Sequence, residues 1–93
     1  MSRFTVHWDD QVQADFVNAW VKADSPTRTI LTDLANAVDA ALAQSPESIG
    51  RFVPEEGGRV VTVVIGVAAV SVFYQTVTKD RSVLVLRMVF RRA

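Results

Sequence analysis

Three runs of strand length, at residues 59–65, 67–77 and 82–90, constrain the fold more than any other part of this sequence. β-Branched and aromatic side chains crowd them, and such side chains suit a pleated, packed surface. Gly66 and the cluster at 78–81 separate the runs. The pattern predicts a three-stranded antiparallel meander. Gly66 makes its first tight turn, and the Lys79-Asp80 region makes its second. The middle run is apolar at nearly every position, so both of its faces need cover. One cover comes from the rest of this chain, the other from a further partner.

Upstream, Phe4, Val6 and Trp8 alternate with Arg3, Thr5 and His7, the period of a half-buried strand. A strand this isolated joins the sheet at an edge. Asp9 and Asp10 offer an N-cap, and Gln13 completes a capping-box pattern with Asp10. The helix that follows sets Val12, Phe16, Ala19, Trp20 and Ala23 on one face, with Trp20 as a core plug. Ser25 is read as the next N-cap and Pro26 as the first helical residue. The second helix carries Ile30, Leu31, Leu34, Val38, Ala41 and Leu42 on one side. So short a link makes an antiparallel helical hairpin. Residues 45–57 read as a loop, pinned by Phe52 and Val53. The predicted fold class is α+β: a helical hairpin on one face of a mainly antiparallel four-stranded sheet, in the order β-α-α-β-β-β.

A chain of 93 residues that is 49% apolar makes one domain, 1–93, with one modest core. It has no Cys, so disulfides, thiol chemistry and Cys-based zinc sites are excluded. No signal-peptide pattern opens the sequence, and its apolar runs are too short to span a bilayer. A cytoplasmic protein without membrane contact is expected. The net charge of zero conceals a split. Residues 1–57 hold nine acidic and four basic side chains; residues 58–93 hold one acidic and six basic. Such asymmetry suits a polyanion or an acidic partner, or a fold whose halves neutralise each other.

Several chemistries lack their residues. Glu55-Glu56-Gly57-Gly58 has neither the helix nor the Lys of a phosphate loop. One His and scattered carboxylates give no metal-ligand spacing, so neither metal nor cofactor is expected. His7 has no partner for general-base work. Adjacent carboxylates such as Glu55 and Glu56 ordinarily face solvent. Arginine remains. Arg59 opens the meander, Arg87 lies late in its last run, and Arg91 and Arg92 end it. Guanidinium forks suit phosphate and carboxylate alike, so these four are the candidate target- or anion-binding residues.

The order of elements resembles the RelE/ParE superfamily of toxins from type II toxin–antitoxin pairs. So do Trp8 ahead of the first helix, and Leu42, Ser45-Pro46 and Gly50 after the second. Gly58-Arg59, Val72-Phe73-Tyr74-Gln75 and Asp80-Arg81-Ser82-Val83-Leu84-Val85 continue the likeness, which is closest to plasmid-stabilisation-type members. RelE-type members cut mRNA on the ribosome without metal, using lysines, arginines and often a C-terminal tyrosine. Here Thr62 and Val64 stand near the lysine positions, and Ser71 stands at the middle-strand arginine. Arg92 or Arg91 matches the late arginine, and no tyrosine follows. Metal-free cleavage needs cations for the charge building on phosphate, so the resemblance leans away from an enzyme, with Arg91 and Arg92 its catalytic candidates. It implies instead a ParE-like toxin that binds a cellular target of the gyrase type. The alternatives are a RelE-type endonuclease with a reduced basic site, bound to ribosome and mRNA, and a non-toxic interaction or dimerisation domain. A cognate antitoxin is the implied partner, and Ala69, Ser71 and Phe73 are its candidate contact, or that of a homodimer.

Overall fold

The computed structural model describes residues 3–92, and of Arg92 the backbone alone. The chain runs β1 (Thr5–Trp8), α1 (Asp10–Lys22), α2 (Ser25–Gln44), β2 (Arg51–Val53), β3 (Gly58–Ile65), β4 (Ala68–Val77) and β5 (Ser82–Arg92). One sheet holds all five strands in the order β1-β5-β4-β3-β2. The architecture is α+β, with the helical hairpin, the meander and the edge position of β1 as the sequence predicts. β1 lies parallel to β5, and the other pairings are antiparallel. The fifth strand is β2, inside the stretch that reads as a loop. Only three residues long and flanked by Gly50 and Pro54, it leaves no periodic signal in the sequence.

Local chemistry sets the helix ends. Asp9 caps α1, its carboxylate accepting from the Gln11 N–H at 3.2 Å. Asp24, not Ser25, caps α2, accepting from the Thr27 N–H at 2.9 Å. Ser25 and Pro26 therefore lie inside the first turn, where a missing N–H costs nothing. The core lies between the hairpin and one sheet face. Val12, Leu34, Val38 and Leu42 from the helices meet Val70, Val72, Tyr74, Val83 and Val85. Trp20 departs from its expected role. It is 37% exposed, with its indole N–H 3.2 Å from the Thr32 hydroxyl and the Arg28 guanidinium 4.4 Å from its ring. It fastens α1 to α2 near solvent, and Val12 is the buried residue of α1.

One irregularity decides what the second half of β5 presents. Phe73 faces Arg87 and Tyr74 faces Val85, leaving Leu86 without a cross-strand partner. This bulge shifts the pleat by one residue. Before it Val83 and Val85 point to the helices; after it Met88 and Phe90 do. Arg87, Val89 and Arg91 are thereby turned to the opposite face. Among the described residues no helix is long and apolar enough to cross a membrane.

Candidate functional site

The sheet face turned away from the helices is built from alternate residues of three strands. Cross-strand pairing aligns Val60, Phe73 and Arg87, then Thr62, Ser71 and Val89, then Val64, Ala69 and Arg91. Ala69 is 4% and Ser71 8% exposed, because these small side chains sit between larger neighbours. The Thr62 and Ser71 hydroxyls lie 3.1 Å apart and hydrogen-bond to each other. The result is a shallow trough of about 790 Å³. Val60, Thr62, Ser71 and Phe73 line its floor, with Arg51, Glu55, Glu56 and Arg91 around them.

Two short 3₁₀ turns shape the ends of the meander. Pro54–Glu56 leads through Gly57, at φ 68°, into β3, and Thr78–Asp80 leads through Arg81, at φ 50°, into β5. The first folds toward the trough. Its Glu56 carboxylate accepts from the Arg87 guanidinium at 2.7 Å, and that guanidinium lies 4.2 Å from the Phe73 ring centroid. Both side chains of the pair are about half exposed, and exposed pairs of this kind contribute about 0–1 kcal/mol. Their effect is local: the pair roofs Phe73 and neutralises one of the basic groups on the face.

The four candidate arginines separate. Arg87 and Arg91 share the trough face. Arg59 lies on the opposite face, paired across the strands with Tyr74, and donates to the Ile49 and Gly50 carbonyls at 3.3 Å each. Its charge holds the 46–50 segment on the sheet. Arg92 pairs with Ala68 in the backbone register, and its side chain lies outside the described residues. Ala69, Ser71 and Phe73 do share one face, with Phe73 half-buried beneath Arg87. His7 is exposed on β1. No three metal-binding side chains converge among the described residues. Comparison of the chain with protein-family models, curated proteins and solved structures finds no match.

Beside Arg59, on the helix-facing side of the sheet, Tyr74 carries the one perturbed titration among the described residues. Burial raises its phenol above the ordinary value of 10.0, and the neighbouring Arg59 works in the other direction. Its hydroxyl donates toward the Pro46 carbonyl at 2.7 Å and the Ile49 carbonyl at 3.0 Å. This is a structural latch beneath the 46–50 crossing.

Sequence reasoning did not single out Arg51 and Glu56 as trough residues. Arg51 enters through the pairing of β2 with Val60, and Glu56 through a turn that folds over the sheet. The usable signal was the Pro-Glu-Glu-Gly string, which combines turn chemistry with two charges directly ahead of a strand.

Proposed function

We propose that this protein works by binding another protein across the helix-free face of its sheet, as the toxin partner of a ParE-like toxin–antitoxin pair inside a bacterial cell. The observation that carries the reading is the trough itself. Its floor of small, β-branched and aromatic side chains suits the side chains of an extended or helical partner. Arg91 and Arg51 stand at its margin to meet carboxylates. The β-α-α-β-β-β core order, which carries the resemblance, supports it. The positions where that resemblance sets cleavage cations hold neutral groups instead: Thr62 and Ser71, hydrogen-bonded to each other. Two hydroxyls at such a place offer contacts but not the positive charge that phosphodiester cleavage draws on.

Induced expression in a bacterium tests the reading. Growth arrest with filamentation and a DNA-damage response is the expected outcome, with mRNA left intact. The variant carrying Arg91→Ala and Arg92→Ala together keeps the wild-type circular dichroism spectrum and loses most of the arrest. Cleaved mRNA, or unaltered arrest by the double variant, overturns the proposal. Normal growth of cells making wild-type protein overturns the toxin assignment.

A further inference from the structure

Besides the outer sides of the edge strands β1 and β2, which are only four and three residues long, two stretches along the rim of the sheet have no neighbouring strand. β1 covers β5 from Ser82 to Val85, leaving 86–92 open. β2 covers β3 from Gly58 to Val60, leaving 61–65 open. Alternate residues in such stretches turn backbone N–H and C=O groups outward, a template for strand addition. The two are guarded differently. The β5 stretch carries Arg87, Arg91 and Arg92 and begins at the Leu86 bulge, and both features discourage an added strand. The β3 stretch, Val61-Thr62-Val63-Val64-Ile65, has no charge, no proline and an unbroken register. Val64 there is 60% exposed, and Val67, just past the Gly66 turn, is 65% exposed.

From this contrast we infer that the protein pairs with a second copy of itself along the open half of β3. The two strands run antiparallel about a two-fold axis near Val64, clear of the Gly50-Arg51 segment that lies against Val60 and Val61, and the two sheets become one. Symmetry and charge select this occupant. A strand pairing antiparallel with its own copy meets the two-fold relation that a closed dimer requires. A neutral run brings no like charges together, whereas contact between two β5 edges would set arginine against arginine. An acidic or basic partner strand gains no ion pair at 61–65. Self-pairing satisfies the outward backbone groups and covers Val64. Both troughs then open on the same side of one ten-stranded sheet, with Thr62 and Val64 of the trough face beside the seam.

Sedimentation of the full chain across the micromolar range tests the state, and a single cysteine tests the surface, since the sequence has none. Val64→Cys places two thiols near the axis, within reach of a short bis-maleimide. Val89→Cys, on the sheet face, places them about 24 Å apart, five inter-strand spacings, beyond its reach. The expected results are a wild-type dimer, a crosslink from Val64→Cys and none from Val89→Cys. Val64→Lys, at an exposed site that does not disturb folding, weakens dimerisation about tenfold or more by opposing like charges across the axis. A wild-type monomer throughout the range overturns the inference, as does crosslinking by Val89→Cys alone. So does a Val64→Lys protein that is folded by circular dichroism and still dimerises as wild type does.

Discussion

Tyr74 shows how one side chain sets both packing and pH response. It is buried in β4, and its hydroxyl serves two carbonyls of the 46–50 segment. Tyr74→Phe keeps the ring and leaves those carbonyls without that donor, a loss of about 1–3 kcal/mol. Denaturant midpoints of the two proteins at neutral pH measure it. The sign of the pH effect follows from the raised phenol. In the unfolded chain it ionises near its ordinary value, while in the folded chain it keeps its proton. The stability it contributes is therefore complete below about pH 10 and is lost as pH rises through the folded pKa. Tyr74 is the only tyrosine in the sequence, so tyrosinate absorbance follows it alone. The alkaline fall in stability shrinks in Tyr74→Phe. A phenol titrating at its ordinary value would remove this account of its burial.

At the scale of elements, β3 and β4 approach so closely at Gly58 that an added Cβ would meet the Tyr74 carbonyl oxygen. Gly58→Ala must push the strands apart, at about 1–3 kcal/mol, the usual cost of overpacking. Thermal unfolding reads this, and a variant as stable as wild type would refute the close approach. The sequence revealed the meander because Gly66 and the 78–81 cluster interrupt runs that are otherwise continuously β-forming. It revealed the helices because their apolar residues recur at the helical period. β2 was hidden by its length. Trp20 was misplaced because periodicity assigns a face without fixing how closely that face approaches the sheet. The basic residues were legible as types but not as a site. Arg59 and Arg87 each belong to a strand, and only strand pairing shows that they point to opposite faces.

For the whole molecule, the two proposed surfaces differ in electrostatics. The trough has Arg51 and Arg91 at its margin, whereas the open half of β3 is uncharged. Raising ionic strength from about 0.1 M to 1 M shortens the screening length from about 10 Å to 3 Å. Partner binding at the trough weakens over that range, and self-association through β3 does not. Isothermal titration and sedimentation in the two buffers separate them, and a salt-sensitive dimer would point to an arginine-bearing contact. The bulge underlies this division of labour. Were Leu86 instead taken up into an unbroken pleat, strict alternation along β5 would aim the guanidinium groups of Arg87 and Arg91 at the aliphatic interior and Met88 and Phe90 at water. A single supernumerary residue thus keeps the far end of the strand greasy toward the hairpin and cationic toward the outside, and any partner that reads those cations is reading its presence.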